Sequence, residues 1–427
     1  MVSWEAVFLE LEQYRARLKK ELRRAEGCTE PAAVAFAAAK AAELLEARPE
    51  KIRICCSGNI AKNVMGVIIP HSGGRRGLAV AAILGALGGD ASRGLEVLDG
   101  VDAETVGALD EHLASGLCEC TIAEGKTGLY IDAEAVSGEK TAEVVLDGGH
   151  ENIVYMRIGE TVLTDRRGER KCAASSGEEL SLDEILAYAE NESADVLREL
   201  LRDQIECNTA IAEEGARFPY GAAVGQALLA ASEGNALMRS AAMAACAADA
   251  RMGGCEKPVV INSGSGNQGI AASVPVIEYA RRTGVCDESL YRALALSNLV
   301  TMLQKQYIGP LSAYCGAVCA GCGAGAGITY LRGGGYAEIE ATITNTLGTI
   351  SGMICDGAKA SCAAKIAAAV SAANLAGEMS LRGSVFQPGE GIVGREAAET
   401  VRYAGAVGRE GMRETDRVIL ELMLHGL

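Results

Sequence analysis

Tyr314–Leu331 reads YCGAVCAGCGAGAGITYL, three cysteines set among glycines and alanines. If this stretch is helical, Cys315, Cys319 and Cys322 share one face, because they are spaced i, i+4 and i+7. Side chains this small let helices approach backbone to backbone. The same composition runs onward from Phe218, in stretches such as AAVGQALLAASEGNALMRSAAMAACAADA. It is punctuated by Gly-rich turns and one mildly β-like run, YAEIEATITN. The expectation is a domain of buried, close-packed helices.

Upstream the pattern changes. From about Lys51 to Leu163 come short β-rich runs: KIRICCS, VMGVIIP, GLEVLDG, CECTIAE, GLYIDAEAV, TAEVVLD and NIVYMRIG, with the Gly-rich helix RRGLAVAAILGALGGD among them. Several alternate apolar and polar residues, as half-buried strands do. Before them, two helices meet at EGCTEPAAV, where Thr29 suits a cap and Pro31 a first turn. A charged helical connector follows the strands. The chain therefore reads as α+β, a mainly helical Ala/Gly-rich domain with an inserted smaller α/β domain. The ranges are 1–46 for N-terminal helices packing on the helical domain, 47–195 for the α/β domain and 196–427 for the helical domain. No regular internal repeat is evident.

The chain has 427 residues, nearly half hydrophobic but only 4% aromatic, and a formal net charge of −16. That charge argues against nucleic acid, whose phosphates call for clustered Lys and Arg. The N-terminus mixes charges along an apolar stripe and lacks a signal-peptide core. The alanine-rich runs are interrupted by Glu233, Arg239 and Asp249. The expectation is a cytoplasmic protein with no membrane partner. Fifteen cysteines, an odd number, argue against a disulfide framework.

Most of those thiols read as small core residues. Iron–sulfur clusters, however, need thiolates gathered from loops and helix ends. Cys315, Cys355 and Cys362 each fall at or near a turn with small neighbours, and spacing alone leaves both readings open. Paired CxxC knuckles of the kind structural zinc uses are missing. Cys28 precedes a helix, where the dipole is expected to lower its pKa. The loop Asn262–Gly269 offers hydroxyls, amides and backbone N–H groups suited to a carboxylate. Lys359 and Lys365 flank Cys362, His150 lies in a DGGHENI turn, and Ser57, Asn59, Lys62 and Asn63 surround a Gly-rich turn.

Four stretches in this order, EGCTEPAAVAFAAAKA, INSGSGNQGI, SAYCGAVCAGCGAGAGITYL and GMICDGAKASCAAKIA, resemble the L-cysteine desulfidase family, a relative of the catalytic α part of iron–sulfur L-serine dehydratases. The resemblance spans essentially the whole chain. It implies a [4Fe–4S] enzyme that removes the β-substituent of a small amino acid, with the helical domain catalytic and the α/β domain accessory. It implies Cys315, Cys355 and Cys362 as cluster ligands, although the relatives' third cysteine is spaced differently and follows a proline. Cys28 is then the expected base, or a transient fourth ligand. Ser263, Ser265, Asn267 and Gln268 are the expected substrate contacts. The Gly/Ala run after Cys315 is expected to leave room for cluster and substrate, with Cys319 and Cys322 as core or neighbouring thiols. L-Cysteine is favoured over L-serine, and a homodimer is expected by analogy.

Two rival readings differ in class. A pyridoxal-phosphate lyase would use SGSGNQG for the substrate carboxylate and Lys359 or Lys365 as its Schiff-base lysine, but the N-terminal half lacks the strand–helix series with an early lysine. A non-catalytic iron–sulfur sensor would call for a basic partner-binding element, which the acidic chain lacks.

Overall fold

The computed structural model describes residues 4–168, 179–309 and 311–425. Residues 169–178, within the range expected for the α/β domain, lie outside the described part. The chain begins with α1 (Trp4–Glu21), β1 (Arg24–Ala25) and α2 (Thr29–Leu45). A sheet domain follows: β2 (Lys51–Cys56), α3 (Gly58–Met65), α4 (Leu78–Gly88), α5 (Ala103–Ala114), β3 (Cys118–Ile122), β4 (Tyr130–Ser137), β5 (Lys140–Asp147), β6 (Ile153–Ile158) and β7 (Thr161–Asp165). The remainder is helical: α6 (Leu182–Asn191), α7 (Ala194–Arg217), α8 (Val224–Ala231), α9 (Ala236–Met252), the short β8 (Val259–Val260), α10 (Gly266–Thr283), α11 (Asp287–Ile308), α12 (Gly316–Leu331), α13 (Tyr336–Ile350), α14 (Cys362–Ser380), α15 (Ala397–Ala406) and α16 (Arg413–His425). This is an α+β fold with a helical domain.

The six-stranded sheet has the order β3-β2-β4-β5-β6-β7, parallel between β2 and β3 and antiparallel elsewhere. One face is covered by α2 and α4, and alternate residues such as Ile52, Ile54, Ile131 and Val144 pack there into one apolar core. The sequence reading grouped both N-terminal helices with the helical domain. In the structure α1 lies against it through Tyr14 and Leu18, whereas α2 packs over the sheet. A Cβ on Gly85 of α4 would fall 2.2 Å from the Ala35 carbonyl oxygen, so these two helices touch backbone to backbone.

Two runs read as strands fold otherwise. VMGVIIP is split: Val64 and Met65 end α3, which Ser57 caps through the Ile60 N–H, and beyond them Ile68 makes only an isolated bridge to Arg76. GLEVLDG is pinched between Gly94 and Gly100, both with positive φ, and forms turns. The β-like run YAEIEATITN lies in α13. Glu338 accepts the Gly335 N–H at 2.9 Å to start that helix, and Ile339, Thr342, Ile343, Thr346 and Leu347 bury a stripe of helical period.

The glycines of α12 mostly serve packing rather than a cavity, contrary to expectation. Gly321 and Gly325 lie against Ala369 and Ala373 of α14, while Gly323 and Gly327 lie against Ser297 and Ala293 of α11. A Cβ on Gly323 would meet the Ser297 carbonyl oxygen at 2.4 Å. Gly316 is the exception: its missing side chain leaves space for Gln268. Among the described residues no helix is long and apolar enough to cross a membrane.

Candidate functional site

Cys315 and Cys355 are held side by side by an antiparallel bridge between Tyr314 and Ile354. Cys315 N donates to Met353 O at 2.9 Å, and Cys355 N donates to Ala313 O at 2.6 Å. Cys315 immediately precedes α12, and Cys362 opens α14. Two helix N-termini therefore deliver their amide dipoles to the same group of thiols, which favours thiolate. A thiol bond from Cys315 to Cys355 overcomes the effect of burial. With help from Lys62, the Gly357 N–H and Lys365, it brings Cys355 down to about 6. Burial pushes Cys362 up, and the nearby Cys355 adds to this.

Positive charge surrounds these sulfurs. Lys62, 2% exposed, donates to the Cys355 carbonyl at 3.2 Å and pairs with Asp416 of α16. Lys305 is buried. Desolvation lowers its pKa, while the sulfurs of Cys319, Cys355 and Cys315 pull it the other way. Lys359 and Lys365 both pair with Asp356. Three converging thiols, two of them at helix starts and all ringed by ammonium groups, are a donor set that fits an iron–sulfur cluster with three protein ligands. Cys319 and Cys322 lie instead in the apolar interior with α11, and burial raises Cys319 to about 11.

A second group of polar side chains adjoins the first. Asn262 and Ser265 close a tight turn by reciprocal backbone bonds of 3.1 and 3.0 Å, with Ser263 and Gly264 at φ 49° and 75°. Asn262 is spent on Asn298, to whose Oδ1 it donates at 2.8 Å, and the Ser263 hydroxyl on Asn262 Oδ1. Ser265 precedes α10 without a side-chain cap bond, so the first-turn N–H groups of α10 receive no hydroxyl from it. Asn267 Oδ1 and Gln268 Oε1 are buried without hydrogen-bond partners. Gln268 reaches Gly316, next to Cys315, which joins the two groups.

The sheet domain completes the site. A Cβ on Gly264 would lie 3.1 Å from His150 Cε1, so the loop between β5 and β6 leans over the turn. His150 Nε2 is 4.0 Å from Glu30 Oε1, and Asn63 donates to that oxygen at 3.2 Å. Cys28 Sγ donates to Glu30 Oε2 at 3.1 Å. Burial would raise Glu30, but His150 and Cys28 outweigh it and hold the carboxyl at about 2. The expected lowering of the Cys28 pKa by the helix dipole is reversed. Burial, then the Glu30 charge, push it well above the ordinary thiol value, and Arg251 offsets only part of that.

The site thus gathers residues 28–30, 62–63, 150, 251, 265–268, 315 and 355–362. A match to the model of the family described as "Serine dehydratase alpha chain" covers residues 93–421. The chain belongs to the serine dehydratase alpha-chain family. It is also 45% identical over 410 residues to a UPF0597 protein of Lachnoclostridium phytofermentans, covering 96% of this chain and 98% of that one. UPF0597 proteins of Desulfitobacterium hafniense and Finegoldia magna are 43% and 42% identical, across 96% and 97% of this chain and 95% and 100% of their own. In this serine dehydratase alpha-chain relative the family match takes in the three cysteines and the 262–269 turn but begins after Cys28, Glu30 and Lys62. Ser57 and Asn59, by contrast, tie the sheet domain together: both bond Gly128 backbone atoms, and Asn59 also bonds Asp416.

Three residues went unread in the sequence: Glu30, Lys305 and Arg251. Arg251 is 2% exposed, and its Nε and Nη2 are buried without partners. It makes no ion pair with any described carboxylate. Its guanidinium lies against Gly266, where a Cβ would come within 2.5 Å of Nε. The available signal was a cation near the end of the helix stretch AAMAACAADARM, apolar but for Asp249.

Proposed function

We propose that the chain is a [4Fe–4S]-dependent lyase that removes the β-substituent of a small amino acid, most simply L-cysteine to pyruvate, ammonia and sulfide, with L-serine as the alternative substrate. The observation that carries this reading is the convergence of Cys315, Cys355 and Cys362 beside buried polar groups without partners. Family membership supports the lyase class, and the GCTEP segment and the compact Cys355–Cys362 spacing favour cysteine.

Cys315, Cys355 and Cys362 would hold the cluster, which when bound supplies a Lewis-acidic iron toward the substrate. The protein's own part is to orient, neutralise and move protons. Lys62, Lys305 and Lys365 offset the negative charge of the thiolates. Ser265, Asn267 and Gln268 line the space next to Cys315 where substrate sits; Ser263, bonded within its turn, holds the loop's shape.

β-Elimination needs a proton removed from Cα and the bond from Cβ to sulfur broken, with sulfur leaving as sulfide. The resulting aminoacrylate tautomerises and hydrolyses to pyruvate and ammonia. Cys28 is the group we assign to the Cα proton. It rests as a thiol whose hydrogen bond Glu30 accepts, and it removes the Cα proton in its thiolate form, which the charge of Arg251 beside it favours. The test is anaerobically prepared protein assayed for pyruvate and sulfide from L-cysteine and for pyruvate from L-serine. Turnover of either supports the lyase reading, their ratio decides the substrate, and turnover of neither by iron-loaded protein defeats it.

A further inference from the structure

The buried, unpaired Arg251 is the least explained charge in the molecule. A guanidinium out of water costs several kcal/mol unless an anion and hydrogen-bond acceptors meet it. Here neither is supplied by the described residues: Nε and Nη2 lack acceptors, and no described carboxylate pairs with the group. It faces Gly266, the first residue of α10, whose N-terminal N–H groups lack a side-chain cap. Two kinds of donor, a fixed cation and a helix start, thus converge on one buried point. Close by, the unpartnered atoms are of the opposite kind. Asn267 Oδ1 and Gln268 Oε1 are acceptors, and Gln268 stands between this point and Cys315.

We infer that Arg251, with the first turn of α10, binds the α-carboxylate of a free amino acid, and that the side-chain oxygens of Asn267 and Gln268 receive its ammonium group. The inference rests on the lyase reading for the class of ligand, and it reassigns the loop amides, expected to hold the carboxylate, to the other end of the zwitterion. A bidentate guanidinium–carboxylate pair also fixes the orientation of Cα. The side chain then points toward Cys315 past Gln268, and Cα lies near Cys28, on which the Arg251 charge already acts. A ligand lacking either charged group leaves buried partners unsatisfied and binds poorly.

The experiment is anaerobic calorimetry on the iron-loaded full chain with L-alanine, which has no β-leaving group, and with L-lactate and ethylamine, which lack the ammonium and the carboxylate. L-Alanine is expected to bind, and both analogues to bind at least about tenfold more weakly. Arg251→Gln is expected to weaken L-alanine by about a hundredfold or more, and Arg251→Lys by less. A second readout is thermal unfolding without ligand. Removing an unpaired buried charge is expected to raise the melting temperature of Arg251→Gln above wild type, whereas only wild type gains on adding L-alanine. L-Alanine bound equally by wild type and Arg251→Gln, or no loss of binding on removing the carboxylate, overturns the inference and leaves the lyase reading standing. Arg251-dependent binding in a protein that turns over neither cysteine nor serine does the reverse.

Discussion

Cys315 and Cys319 differ by one helical turn and have opposite surroundings. Cys315 sits at the start of α12 against Cys355, while Cys319 is sealed in the apolar interior with α11. On anaerobic purification, Cys315→Ala and Cys355→Ala are expected to lose most of their iron, and Cys319→Ala to keep it. Iron and sulfide assays on the same samples check this, and loss of iron only from Cys319→Ala contradicts the ligand assignment. Cys28→Ala is expected to keep iron and lose about 10²–10⁴ in kcat, the range of a positioned proton-transfer group. Steady-state rates on protein of measured iron content check that role.

At this scale the sequence showed the thiols but not their pairing. Spacing joins Cys315 to Cys319 and Cys322, whereas the fold joins it to Cys355 across α13, through one β-bridge. Arg251 was hidden for a related reason. Its function depends on what it fails to meet, and composition does not reveal a missing partner.

At the level of elements, the glycines of α12 set the distances between three helices. Gly323→Ala places a methyl 2.4 Å from both Ser297 O and Thr301 Oγ1, so α11 and α12 must separate. The expected cost is about 1–3 kcal/mol, typical of overpacking. Gly107→Ala in α5 meets nothing within 4 Å at an ordinary backbone angle, and is expected to gain about 0.5–1 kcal/mol from helix propensity. Urea unfolding of the two variants gives the contrast, and equal midpoints count against the packing role. The helical domain was legible because its small-residue pattern is continuous. α13 read as β-like because it is rich in β-branched residues, and its cap, Glu338 with Gly335, outweighs that preference.

Over the whole molecule, polar contacts fasten the sheet domain to the helical one around the site. Lys62 of α3 reaches both Cys355 O and Asp416 of α16. Asp416→Asn leaves a buried ammonium short of its counter-ion. The expected loss is about 2 kcal/mol, below the 3–5 of a fully buried pair because Asp416 is partly exposed. Chemical denaturation measures that loss. His71 forms a second tie, with Nε2 2.7 Å from Glu26 Oε1 and Nδ1 3.3 Å from Glu256, and with Asp99 also nearby. The Glu26 bond raises its pKa above the ordinary 6.5. A raised folded value means that the stabilisation is fully present below the unfolded pKa and lost as pH rises through the folded one. The difference in melting temperature between wild type and His71→Gln is therefore expected to shrink as pH climbs from 6.5 upward. A difference that grows with pH would contradict the pairing.

The passage from a strand-rich to a helical part of the chain was readable in the sequence from the change of hydrophobic period near Lys51 and the small-residue run after Phe218. That the candidate site draws on both domains was not, since the Glu30, Asn63 and His150 contacts exist only once α2 has packed on the sheet. The most direct test is iron and acid-labile sulfide in the anaerobically purified protein, measured beside sulfide release from L-cysteine. About four of each per chain, with sulfide released, is the predicted result. A chain that takes up no iron and still eliminates sulfide would contradict it.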